Sequence, residues 1–118
     1  MFDSKQIGEI GERLAKEYLL KNSYRIISTN FRKPYGEIDI VTRLKKTLVC
    51  VEVKTSASNI KPEWQMTPHK MKKFKRIIEA YLFENNLQEI PVRADAILIN
   101  LDPLSGNHTL DHIEGLEF

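Results

Sequence analysis

Near the start of the chain, apolar residues recur at helical spacing: Ile7, Ile10, Leu14 and Tyr18, with Ala15 and Leu19 beside them, up to a polar stop at Asn22-Ser23. Asp3 and Gln6 have the spacing of a capping pair, so a first helix is predicted over about residues 4 to 21. Gly8 and Gly11 each cost such a helix ~1 kcal/mol relative to Ala, which predicts a close neighbour against its first turns. From Arg25 to Phe31, from Glu37 to Arg43 and from Thr47 to Lys54 the pattern turns to β-branched and aromatic runs, separated by Pro34-Tyr35-Gly36 and Lys45-Lys46. Three antiparallel strands are predicted there. A Ser-, Asn- and Pro-containing loop over 55 to 66 leads to Thr67 as N-cap and Pro68 as first residue of a second helix, with Met71, Phe74, Ile77, Ile78, Tyr81 and Leu82 as its apolar stripe. Val92 to Leu101 reads as a strand, 102 to 107 as a turn and His108 to Ile113 as a short last strand. The order is αβββαββ, an α/β fold.

Composition changes this picture little. The 118 residues, 42% apolar and 29% charged, suit one compact domain spanning 1–118, with no repeat, low-complexity tract or linker. No run approaches the ~18 apolar residues that cross a bilayer, and the N-terminus lacks the regions of a signal peptide, so a cytoplasmic protein without membrane association is expected. The single Cys50 lies in an apolar strand and reads as a small buried hydrophobe. A net charge of +2 permits a polyanionic partner without demanding one.

The chemistry lies in the second hairpin. With Lys45-Lys46 as its two turn residues, Leu44 faces Thr47, Val41 faces Cys50, and Asp39 faces Glu52. Opposed residues have Cβ atoms roughly 4.5 to 5.5 Å apart, so both carboxylates can hold one cation, and Lys54 lies on the same face two residues on. Ile38, Ile40, Val49, Val51 and Val53 make the opposite face apolar, and both faces are expected to be covered. Two opposed carboxylates in a buried pair need a cation or a proton. Hard oxygen ligands suit Mg²⁺ or Mn²⁺, and a phosphodiester is the natural substrate, with Lys54 orienting water or stabilising charge on the phosphate. A plain ion-pair cluster of the three residues remains the alternative. Lys-Lys is a poor sequence for such a tight turn, and a bulge would shift the pairing by one.

Gly36-Glu37-Ile38-Asp39, with Glu52-Val53-Lys54 thirteen residues after the Asp, resembles the PD-(D/E)xK signature of restriction-endonuclease-like nucleases, with Ile38 in the place of Pro. Gly8-x-x-Gly11-Glu12-x-x-Ala15-x-x-Tyr18-Leu19, Asn30-Phe31-Arg32, Gly36 to Ile40, Val51 to Lys54 and Arg93-x-Asp95 resemble the uncharacterised YraN-like bacterial family across nearly the whole chain. The resemblance implies a mixed central sheet flanked by helices. It further implies a Mg²⁺-dependent endonuclease acting on DNA, branched or damaged DNA included, and a homodimer. Glu12-Arg13 is similar to a helix Glu-Arg pair of archaeal Holliday junction resolvases, which would make Glu12 a third metal ligand. Read from its own surroundings, Glu12 is a solvated helix residue. The alternative function is an inactive nucleic-acid-binding or assembly module of the same fold.

Helix two carries Lys70, Lys72, Lys73, Lys75 and Arg76 in its first half, where cations oppose the helix dipole. A phosphate-tracking surface explains the cluster; a solvated face explains any one of them. Trp64 either pins its loop to the core or stacks on a base. His69, His108 and His112 have no zinc spacing, and Arg93 with Asp95 reads as an internal ion pair, with Asp95 near enough in pattern to support the site.

Overall fold

The computed structural model describes residues 2–57 and 66–117, which places Trp64 and most of the 55–66 loop outside the described residues. The elements are α1 (Ser4–Lys21), β1 (Arg25–Lys33), β2 (Gly36–Leu44), β3 (Thr47–Ser56), α2 (Pro68–Glu84), β4 (Val92–Leu101) and β5 (His108–Ile113). This is the expected αβββαββ order. Asp3 and Gln6 form a reciprocal capping box on α1, and Thr67 caps α2 with Pro68 in its first turn. No helix among the described residues is long and apolar enough to cross a membrane.

The five strands lie in the order β1-β2-β3-β4-β5. β1, β2 and β3 pair antiparallel, β3 and β4 run parallel through the α2 crossover, and β5 returns antiparallel. The sheet is therefore mixed. One face packs on α2 through Val41, Leu48, Cys50, Met71, Phe74, Ile77 and Tyr81; the other packs on α1 through Ala15, Leu19, Ile40, Val49, Val51, Ile97 and Ile99. Each buried side chain of this size contributes ~1.5–3 kcal/mol, so both faces must be covered for the sheet to persist. Cys50 is fully buried, and burial pushes its thiol up to about 12, as suits an inert core residue.

Register follows expectation only part of the way. Leu44↔Thr47, Val41↔Cys50 and Ile40↔Val51 pair as predicted, and there the β2–β3 ladder ends, one step short of Asp39 and Glu52. The alternation of β2 breaks at the same place: Ile38 joins the α2 cluster and Ile40 the α1 cluster, although the pattern predicts one face for both. Opposite Asp39 on β1, between the pairs Thr29↔Ile40 and Phe31↔Ile38, Asn30 takes a left-handed φ of 54°. Asn tolerates that conformation better than most residues, and β1 leaves regular strand geometry there as well as at its register shift between Ile26 and Ser28. The Lys45-Lys46 turn does form, with Lys45 at φ 55°.

Candidate active site

Where β2 leaves β3, the Asp39 side chain takes up part of the freed ladder. Its Oδ2 accepts a 2.7 Å hydrogen bond from the Val53 N–H, replacing the backbone partner that β2 no longer supplies. This is its only hydrogen bond among the described residues. Burial pushes the Asp39 carboxyl up to about 7; the Val53 bond opposes this, while the negative charges of Glu37, Glu52 and Glu12 push it further. Three carboxylates thus act on Asp39 where the sheet opens.

The strand break distributes them over two cavities. Glu12, Asp39, Lys54 and Glu37 line a groove between α1 and the β1–β2 edge, together with Asn30, Arg32 and Thr55. Glu52 lines a smaller cavity under α2 with Gly36, Glu37, Lys70, Lys73 and Phe74. Glu37 is the shared wall. Burial raises the Glu52 carboxyl, and the charges of Lys54 and Lys70 pull it back. The direct opposition of Asp39 and Glu52 that a regular hairpin predicts is therefore replaced by an open junction flanked by both.

Glu12 is more than a solvated residue. It is half-buried, accepts a 3.0 Å bond from Asn30 Nδ2, and pairs with Lys16 at 3.4 Å. The residue that donates this bond is the left-handed Asn30, so one irregular position of β1 also holds Glu12 in place. Two residues of the quoted motifs were given no part in the site: Asn30, whose signal was a turn-former inside a strand pattern, and Glu37, whose signal was an acid two positions before Asp39. Glu37 pairs with Arg32 at 3.2 Å.

The basic residues of α2 separate. Lys70 and Lys73 face the Glu52 cavity. The Arg76 guanidinium instead sits 4.0 Å from the centre of the Tyr35 ring, and Lys72 is exposed. The two glycines of α1 separate as well. A Cβ at Gly11 would collide with the Thr55 side chain, the close approach its presence predicts, whereas a Cβ at Gly8 would meet nothing within 4 Å.

A second polar cluster lies on the α1 face around β4 and β5. Asp95, fully buried, receives Arg93 Nε at 2.9 Å and Nη2 at 2.8 Å, the Gly115 N–H at 3.0 Å, and His112 Nε2 at 2.7 Å. His112 Nδ1 meets the Tyr18 hydroxyl at 2.8 Å, and Arg93 also donates to Tyr24 at 2.6 Å. Asp95, His112 and Glu114 bring ligand atoms within 4.8 Å of one another, an arrangement compatible with a metal ion. Arg93 already supplies positive charge there, holding both Asp95 and Glu114. Among the described residues no three of Glu12, Glu37, Asp39 and Glu52 converge to that distance. The expected Arg93–Asp95 ion pair is present.

The fold and the junction define an α/β protein of αβββαββ order, a mixed five-stranded sheet between two helices, with acidic side chains gathered where the central hairpin splays. Within that class the chain belongs to the uncharacterised protein family UPF0102, whose profile matches residues 11–99. A UPF0102 protein of Thermodesulfovibrio yellowstonii is 37% identical over 115 residues, covering 96% of each chain. One of Clostridioides difficile is 37% identical over 112 residues, covering 92% of this chain and 97% of the relative. Among solved structures, SfsA of Pyrococcus furiosus in complex with Ca²⁺ aligns with a TM-score of 0.46 at 15% identity, over 100% of this chain and 67% of that one. A likeness that loose carries no argument about function.

Proposed function

We propose that the chain is a Mg²⁺- or Mn²⁺-dependent endonuclease that hydrolyses phosphodiester bonds of DNA. The observation that carries this reading is Asp39: a largely buried carboxylate raised to about 7, with one backbone hydrogen bond, facing the further acids Glu37, Glu52 and Glu12. Such a cluster is costly in a folded protein unless a cation joins it. All its ligands are hard oxygens, the donor set of Mg²⁺ and Mn²⁺.

Asp39 and Glu52 would hold the metal, with Glu12 as third carboxylate fixed by Asn30. When bound, the metal supplies charge neutralisation at the phosphate and a lowered pKa for the attacking water. Lys54, in the groove with Asp39, orients that water and stabilises charge on the phosphorus oxygens. Lys70 and Lys73, beside Glu52, draw the phosphate toward the junction from the α2 side. Water adds to phosphorus, the ester P–O bond breaks, and the products are a phosphate monoester and a free hydroxyl.

The test is cleavage of branched, single-stranded and duplex DNA in Mg²⁺ or Mn²⁺ by the purified protein and its Glu52→Ala variant. Cleavage lost in the variant supports the reading. No cleavage of any substrate by the wild type replaces it with a binding or assembly module of the same fold. Mn²⁺ should also raise the Tm of the wild type but not of Asp39→Asn, since a ligand that binds only the folded state stabilises it.

A further inference from the structure

The first half of α2 carries its cations on the outside. Lys70, Lys72, Lys73, Lys75 and Arg76 are all exposed, and the first acid on the helix is Glu79, one turn past Lys75. These five exceed the +2 net charge of the whole chain, so the rest of the chain is net acidic and the basic charge is concentrated here. They also crowd the end of the helix whose dipole repels cations, with no acid in the first turn to offset them. Solubility asks for charge anywhere on a surface, not for this placement.

Lys70, Lys73 and Arg76 recur at every third position and form one row along the helix, about 9 Å long at 1.5 Å per residue. Lys70 and Lys73 line the cavity that holds Glu52. Two acids face them there: Glu37, which pairs with Arg32, and Glu52, on which the charges of Lys54 and Lys70 both act. Arg76 ends the row differently. Among the described residues it pairs with no carboxylate, and its guanidinium lies 4.0 Å from the centre of the half-buried Tyr35 ring. Tyr35 precedes Gly36 and Arg76 precedes Ile77, and both of those neighbours line the Glu52 cavity. Gly36 and Ile77 pack so closely that a Cβ at Gly36 would lie 3.4 Å from the Ile77 Cβ. The Arg76–Tyr35 pair is thus fixed at the rim of the cavity, from the β1–β2 turn on one side and from α2 on the other. An exposed guanidinium held over a ring is a surface on which a nucleobase stacks, and a base is free to stack there only when it is unpaired.

We propose that α2 and the β1–β2 turn bind an unpaired DNA strand, with Lys70 and Lys73 on its phosphates and one base stacked on the Arg76–Tyr35 pair. The lysine row alone would take any polyanion; the pair selects a strand with free bases. The inference deepens the endonuclease reading by naming the state of the strand beside the junction, and it rests on that reading for the cut itself.

The experiment compares three fluorescein-labelled probes of equal length by anisotropy in Ca²⁺: a thymidine strand, the same strand lacking its bases, and a duplex. The wild type should bind the thymidine strand about tenfold more tightly than the abasic one, and more tightly than the duplex. Arg76→Lys keeps the charge and removes the stacking plane, so it should lose most of that tenfold preference while its affinity for the abasic strand and its Tm stay unchanged. Tyr35→Phe keeps the ring and should keep the preference. Lys73→Ala should weaken both single strands alike and lower the salt slope by roughly 0.7. Equal affinity of the wild type for thymidine and abasic strands overturns the inference, as does a duplex bound as tightly as the strand or an unchanged preference in Arg76→Lys. Cleavage that depends on Glu52 alongside any of these results leaves the endonuclease reading standing without the stacking pair. A base preference that Arg76→Lys abolishes, in a wild type that cuts nothing, upholds the strand surface and overturns the endonuclease reading.

Discussion

Asp39 and Asp95 are both largely withdrawn from water, and their carboxyl groups move in opposite directions. Burial pushes each upward. At Asp39 a single backbone N–H opposes it while three neighbouring carboxylates add to it, and the group ends near 7. At Asp95 the hydrogen bonds from His112, Arg93 and Gly115, with the Arg93 charge, outweigh burial and hold the carboxyl below its usual range. The Arg93 guanidinium is in turn raised, first by its bond to Asp95. Burial alone therefore says nothing about what an acid is for. Asp95 is satisfied by partners within the chain, whereas Asp39 has one backbone donor against three neighbouring carboxylates, the imbalance on which the proposed metal site rests.

The largest effect expected from this contrast is at Asp95. Asp95→Ala removes the acceptor for Arg93, His112 and Gly115 at once, leaving a partly buried guanidinium without its partner, and should cost ~3–5 kcal/mol in denaturant unfolding. A loss under about 1 kcal/mol would mean that Glu114 and Tyr24 alone satisfy Arg93, and that the network is redundant.

Asp39→Asn should have the opposite sign. The amide keeps an acceptor for Val53 and removes the buried charge, so the metal-free protein should gain ~2–4 kcal/mol near neutral pH, the equivalent of the shift from 3.8 to about 7. The gain should come with loss of metal binding, the trade of stability for function expected of a ligand position. A destabilised Asp39→Asn would break the comparison.

The two acids also divide the pH axis. Asp39 has a raised folded value, so its folded form keeps a proton longer than the unfolded chain. Its stabilising share is complete below about 4 and is lost as pH rises through about 7. Asp95 has a lowered folded value, so its share is present above about 4 and is lost as pH falls below that. The stability of wild type relative to Asp39→Asn should therefore decline between about pH 4 and 7 and level off above, as measured by denaturant titration across that range.

Both acids were legible in the sequence, but their environments were not equally so. Every element was readable from periodicity, caps and turn residues, because these are local. The Arg93–Asp95 pair was readable because strand alternation puts both on one face. The geometry at Asp39 was not, since the β2–β3 ladder ends at Ile40↔Val51 and Asn30 is left-handed opposite Asp39, and an alternation argument assumes a regular ladder. Nor could a sequence show His112 and Gly115, seventeen and twenty positions on, closing over Asp95. The lysines of α2 divided for a similar reason: helical spacing puts them near one another, and only the packed Tyr35 and the Glu52 cavity distinguish Arg76 from Lys70 and Lys73.

The smallest expected effect sharpens the contrast most finely. His112 bridges the two elements, with Nε2 at 2.7 Å from Asp95 and Nδ1 at 2.8 Å from the Tyr18 hydroxyl, and this relay ties β5 to α1. Tyr18→Phe removes that hydroxyl and keeps the ring, which stands edge-on to His112 at 5.4 Å. The cost should be ~1 kcal/mol, the net worth of one hydrogen bond, readable as a lowered Tm with the Mn²⁺ shift intact. If Tyr18→Phe instead abolishes the Mn²⁺ response, the relay sets the place of Glu12, earlier on α1, and the closed cluster and the open one are a single coupled device rather than two separate ones.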